Sequence, residues 1–269
     1  MSEHTTAHPA PGAPTPFLDR HHFLLRRLHS LTGIVPVGIF VIMHLFTNAQ
    51  MVWPDGGATF QHEVDFIHST PALLFIELTL WGSIAFHAGL GIIYASSGRS
   101  NLKNYHGPRY EGNLRYTLQR STGYIALIFI FLHIATLRWR WSFGVLETPF
   151  YATDHEGRPL AMASTAKALQ AHWLVTAIYL VGVLAVVFHW CNGLWTAAIT
   201  WGLTISVKSQ KRWGMVCTGL AVALTVFSLA AMAGALRYKV TEEDERRIKE
   251  TFEKGPRHAS VEPAPSPRS

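Results

Sequence analysis

Four histidines, His44, His87, His133 and His189, lie deep inside long apolar segments, one to a segment. An ionisable side chain in hydrocarbon is costly, and where it occurs it marks a functional site. Four at matched positions suggest two metal centres, each gripped by two imidazoles from facing helices. A zinc or copper ion held by protein alone would need three or four donors, yet no Cys, Asp or second His stands one helical turn from any of the four. The donor set fits a flat macrocycle with two axial ligands, whose iron keeps no open position and so carries electrons. Cys191 and Cys217, the only cysteines, belong to no C-x-x-C-H attachment sequence. A haem here is therefore held by ligation and packing alone, which means b-type.

The segments that position these histidines are long enough to cross a bilayer. Of the 269 residues, 49% are hydrophobic and only 15% charged. Runs at 31–52, 72–96, 121–141, 172–203 and 213–236 approach or exceed the roughly 20 residues a helix needs to span hydrocarbon. Without alternation they do not suit a barrel. The expectation is an all-α integral membrane protein, a five-helix bundle binding two b haems. Its domains are a disordered segment 1–19, the transmembrane unit 20–240 and a charged, proline-containing tail 241–269. Across the first boundary, residues 18–29 suit a short helix along the membrane surface.

Each histidine sits about two to four residues past the midpoint of its segment, or about 3–6 Å beyond the bilayer centre in the direction of the chain. Chain direction alternates, so the four fall into two layers. His44 pairs with His133 in one, and His87 with His189 in the other.

Charge sets the orientation. Arg20, Arg26 and Arg27 precede the first span; Arg99, Lys103, Arg109, Arg115 and Arg120 fill the second loop; Lys208, Lys211 and Arg212 fill the fourth. The first loop has neither Lys nor Arg. Cations concentrate on the cytoplasmic side, so the N-terminus is cytoplasmic and the C-terminus lies opposite. Arg138, Arg140, Arg158 and Lys167 in the third loop weaken the contrast and are partly offset by acids there. The basic excess belongs to membrane topology and not to nucleic acid. No apolar core of a cleavable signal precedes the first arginines.

Local sequences add a resemblance. RRLHSLTGIVPVGIFVIMHLFTN around His44, FHAGLGIIYA around His87, QRSTGYIALIFIFLHIAT around His133 and FHWCNGLWTAAITWG around His189 resemble helices of the cytochrome b subunit of succinate dehydrogenase and fumarate reductase. The likeness runs in order over about 26–236, and that family has five helices and two haems. It implies the ligand pairing that depth gives, and a bacterial cytoplasmic membrane location. It also implies a flavoprotein subunit that handles the dicarboxylate, and an iron–sulfur subunit docked on the cytoplasmic face. Neither a Gly-rich dinucleotide fingerprint nor a cysteine cluster occurs in this chain, so it would be the anchor of that enzyme.

The resemblance further implies electron transfer from succinate through the His87–His189 haem, then the His44–His133 haem, to menaquinone or ubiquinone at an outer site. Candidate groups there are His62, Glu63, Asp65 and His68 in the first loop, and Glu77, a carboxylate about 8 Å into the second helix. Solvated surface is the alternative for the loop residues. Some fumarate-reducing relatives carry a glutamate just before the fourth-helix ligand, where this chain has Val187 and Phe188. His29 and Ser30 resemble residues that meet the propionates of the inner haem, with Arg26, Arg27, Arg120 and Lys208 within reach of the same face. Gly38, Gly91, Gly123 and Gly193 near the ligands would give a porphyrin room or simply let helices approach. Trp195 and Trp201 could pack on porphyrin or form an interfacial belt. Other functional classes are the membrane cytochrome b of a hydrogenase or formate dehydrogenase, and a transporter relaying protons through its histidines.

Overall fold

The computed structural model describes residues 17–97, 111–137, 139, 141 and 160–253. Among the described residues the regular elements are all helical: α1 (Phe17–Arg20), α2 (His22–Ile34), α3 (Pro36–Ala49), α4 (Ala58–His68), α5 (Leu73–Ser97), α6 (Glu111–Leu137), α7 (Ala161–Ala171), α8 (Trp173–Thr200), α9 (Val207–Arg237) and α10 (Glu242–Glu253). A 3-10 turn at Gln50–Val52 follows α3. Five stretches are long and apolar enough to cross a membrane: His22–Val52, Leu73–Ser96, Leu114–Leu137, Trp173–Thr200 and Val207–Arg237. Hydrocarbon offers the backbone no hydrogen bonds, so each stretch must close its own ladder as helix. The outer surface is correspondingly apolar, with Leu74 67% and Phe75 73% exposed on α5. Lipid supplies the burial that water would deny.

The first span departs from the sequence expectation. The arginine-bearing segment expected to lie along the surface is instead continuous with the span, because no strong breaker occurs before Pro36. Proline lacks the N–H that would reach the Thr32 carbonyl, so α2 and α3 meet at a break centred on Val35. The Val35 N–H still reaches the Leu31 carbonyl at 2.9 Å and the ladder resumes beyond it. The third span likewise starts early, at Leu114 within α6 and not near 121. Its arginines are accommodated by aromatic rings: Arg115 lies over Trp195 at 4.7 Å and Arg120 over Tyr116 at 5.5 Å. Arg120 also donates to the Ala95 carbonyl. With Arg26 over Tyr94 and Arg27 over Trp201, these cations ring one end of the bundle.

The opposite end is closed by short helices where the sequence suggested plain loops. Met51, Phe60, Met162, Leu169, Val175 and Ala235 form a buried cluster beneath α4 and α7. Polar side chains satisfy the orphan groups of these helix ends. Gln61 accepts from the Ala161 amide at 3.0 Å, opening α7, and Gln170 donates to the Ala235 and Tyr238 carbonyls at 2.8 and 3.0 Å, closing α9. His172 caps α8 by accepting from the Leu174 amide. Gly57, at φ +82°, makes the left-handed turn into α4.

The charged tail begins with α10, which docks on α7. Ile248 is buried against Ala163, and Lys167 pairs with Glu245 at 3.1 Å. Tyr238 donates to Asp244 at 3.1 Å; burial first, then the neighbouring carboxylate, pushes its hydroxyl up to about 12. The segment 1–16, the loop cations Arg99, Lys103, Arg109, Arg138, Arg140 and Arg158, and the chain after 253 lie outside the described residues.

Candidate functional site

His87 on α5 and His189 on α8 face each other with ring centroids 6.1 Å apart and planes at 89°. Two imidazoles bound to one metal through bonds of about 2 Å hold their centroids about 6 Å apart. The His87 Nδ1 donates to the His29 carbonyl at 2.8 Å, and the His189 Nδ1 to the Gln119 carbonyl at 3.0 Å. A carbonyl can only accept, so in each neutral ring the proton sits on Nδ1 and the Nε2 lone pair is the one available to a metal.

A shared local device permits both contacts. In an α-helix the carbonyl of residue i already accepts from the amide of i+4, and its second lone pair is reached past the side chain at i+4. That position is Gly33 relative to His29, and Gly123 relative to Gln119. A Cβ at Gly33 would stand 2.5 Å from the His87 Cε1, and one at Gly123 would stand 2.9 Å from the His189 Cε1. Glycine is needed in both places because the imidazole occupies the space a side chain would take. The Gln119 side chain adds a clamp between α6 and α8, donating to the His189 carbonyl at 3.1 Å and accepting from Asn192 at 2.8 Å.

His44 on α3 and His133 on α6 form the second pair, centroids 5.8 Å apart and planes at 78°. The His133 Nδ1 lies 3.2 Å from the Tyr179 hydroxyl, which can accept its proton. The His44 Nδ1 lies 3.4 Å from the side-chain amide of Asn48, whose nitrogen donates to the His44 carbonyl at 2.7 Å. Three helices measure the separation of the pairs. Gly33 touches His87 eleven residues before His44; Gly123 touches His189 ten before His133; Tyr179 touches His133 ten before His189. At about 1.5 Å per residue, each ruler places the layers about 15 Å apart.

A cavity of about 350 Å³ lies between His87 and His189, lined also by His29, Ser30, Gly33 and Arg120. The His29 ring stacks on His87, centroids 4.0 Å apart, and its buried Nδ1 has no partner among the described residues. Of the cations expected near this end, Arg120 lines the cavity, Arg26 and Arg27 lie over aromatic rings, and Lys208 lines a separate cleft. Trp195 and Trp201 sit under arginines at the same end, as an interfacial belt would. Among the described residues no group of three or more His, Cys, Asp or Glu side chains could hold a metal ion.

The other sequence candidates are more scattered. His62, Glu63, Asp65 and His68 ride on α4, where Gln61 donates to Asp65 at 2.9 Å and the His68 ring bonds the Val64 carbonyl at 2.8 Å. Glu77 is half-buried near the start of α5, and none of the five lines the cavity. Sequence reasoning passed over Gly33, Gln119, Tyr179 and Asn192. The signal that could have found the first two is a glycine four residues after a helical position on a helix facing a histidine.

These features define a class: a polytopic helical membrane protein with two layered pairs of intramembrane imidazoles. No family model matches the chain. It is 34% identical over 211 residues, covering 78% of this chain and 95% of the relative, to the succinate dehydrogenase cytochrome b558 subunit of Bacillus subtilis (strain 168). The chain belongs to the family of succinate dehydrogenase cytochrome b subunits.

Proposed function

We propose that this chain is the membrane anchor of a succinate:quinone oxidoreductase, holding one haem b between His87 and His189 and a second between His44 and His133. The observation that carries the reading is the matched spacing of the two ring pairs, 6.1 and 5.8 Å, within a chain that has a cytochrome b558 subunit as its relative. The residues fit the group. The inner pair bounds a cavity, its Nδ1 atoms are spent on carbonyls, and two glycines clear the approach. Bound between two imidazoles, haem b supplies one-electron transfer with no position open to oxygen.

The chain's own residues orient and insulate. The carbonyls of His29 and Gln119 fix the tautomer of the inner imidazoles, and the Tyr179 hydroxyl orients the His133 ring. His29, Ser30 and Arg120 stand where carboxylates at the basic end would find donors. That end, ringed by Arg26, Arg27, Arg115 and Arg120, is the cytoplasmic one by charge, and there the flavoprotein and iron–sulfur subunits would dock. The opposite end, capped by α4 and α7, would meet the quinone, menaquinone or ubiquinone, with Glu77, Glu63, Asp65, His62 and His68 as candidate proton carriers.

Ligand substitution with haem counting tests this. The purified wild type is expected to hold about two haems per chain in a reduced-minus-oxidised spectrum. His44→Ala and His133→Ala should each remove the same one, and His87→Ala and His189→Ala the other. Four ligand variants that all retained the wild-type haem content would overturn the assignment.

A further inference from the structure

We infer that the cleft at the start of α9 binds the phosphodiester of an anionic phospholipid. The cleft, of about 340 Å³, is lined by Thr204, Ser206, Lys208, Ser209, Arg212, Trp213 and Val216. No acidic residue lines it. The partial positive charge at the N-terminus of a 31-residue helix reinforces the two cations.

An independent observation points to a ligand. Thr204 is 9% exposed, and its Oγ1 is buried with no hydrogen-bond partner among the described residues. The rest of the residue is satisfied: its amide reaches the Ala198 carbonyl at 3.2 Å, and its carbonyl accepts from Gln210 at 3.2 Å. A buried hydroxyl without a partner costs about 1–3 kcal/mol, so one lining a polar cleft calls for an occupant. A phosphate oxygen suits it, because the hydroxyl can donate where the cations attract.

The apolar wall selects the source of the phosphate. Val216 is 55% exposed and continuous with exposed Met215 on the outer face of α9. Leu203, Ile205 and Val207, adjacent in sequence to lining residues, are 78%, 86% and 70% exposed. The cleft thus lies where a membrane span begins, and its lining combines basic, polar and apolar side chains. A free phosphate would use only the polar and basic lining, whereas a phospholipid uses the apolar part too, its headgroup on Thr204, Lys208 and Arg212 and its chains along Val216. Two cations favour an anionic headgroup over a zwitterionic one.

The test uses the full chain purified in detergent with its partner subunits, examined by native mass spectrometry while phosphatidylglycerol, phosphatidylcholine or inorganic phosphate is added. Wild type should retain a phosphatidylglycerol adduct in preference to phosphatidylcholine. Lys208→Gln with Arg212→Gln, both exposed positions, should weaken that retention about tenfold with haem content unchanged. Thr204→Val should weaken it less. Equal retention by the double variant and wild type would overturn the proposal. So would displacement of the lipid by millimolar inorganic phosphate, which would mark a free-anion site. Loss of the iron–sulfur subunit from the double variant with lipid retention intact would assign the cleft to a protein carboxylate instead.

Discussion

Gly33→Ala tests whether a missing Cβ seats the inner imidazole. The new carbon would stand 2.5 Å from the His87 Cε1 and 2.6 Å from its Nδ1. Ordinary carbon contacts need about 3.5–4.0 Å, so the ring must retreat by about 1 Å. That motion opens the 2.8 Å bond to the His29 carbonyl beyond hydrogen-bonding distance. Losing a contact that orients a metal ligand costs about 10- to 100-fold in affinity, and overpacking adds about 1–3 kcal/mol. The assay is haem per chain by pyridine haemochrome, with the redox spectrum reporting which haem remains. The expected result is a fall from about two haems to about one, with the His44–His133 centre unchanged. Gly89→Ala on α5 is the control, since a Cβ there meets nothing within 4 Å, and it should keep both. A Gly33→Ala protein with both haems and unchanged potentials would refute the argument.

Other substitutions separate backbone from side-chain effects. Tyr179→Phe removes the hydroxyl 3.2 Å from the His133 Nδ1 and should shift the potential or lower the occupancy of the outer haem alone, read by redox titration. His29→Ala removes the ring but leaves the backbone carbonyl that accepts from His87, so it should lower inner-haem occupancy less than Gly33→Ala does; an equal or greater loss would contradict it. At the opposite end, hydrogen bonds from the Thr59 hydroxyl and amide, with that of Gly57, hold the Asp55 carboxyl below the usual range. A depressed folded value means the turn into α4 is held at neutral pH and released as acid protonates the group, below about pH 4. Hydrogen exchange at the Gly57 and Thr59 amides should show that release, and Asp55→Asn should abolish its pH dependence.

The four histidines were legible because an imidazole inside an apolar run is conspicuous, and their grouping into two layers followed from helical rise and alternating direction alone. The contacts that orient them were not. Gln119 and His29 act through carbonyls that any residue possesses, so side-chain identity carries no trace of the role. Gly33 bears no mark of its role, and Gly123 stays open between porphyrin room and helix approach, because glycine serves either as readily as it serves one ring. The spans were found but their starts were misplaced where charge was taken to end a helix: Arg115 and Arg120 stay helical under aromatic rings. α4 and α7 were hidden for a related reason, since their amphipathic faces pack on the bundle and read as polar loop from composition.

The carbonyl contacts of His87 and His189 also bear on how the bundle is assembled. Each ties a side chain of one span to a fixed rung of another, α5 to α2 and α8 to α6. Since an imidazole fits only over the glycine rung, neighbouring helices cannot slip by a turn without pushing the ring into a side chain. The relative elevations of these four spans are thereby keyed in pairs by contacts within the protein itself.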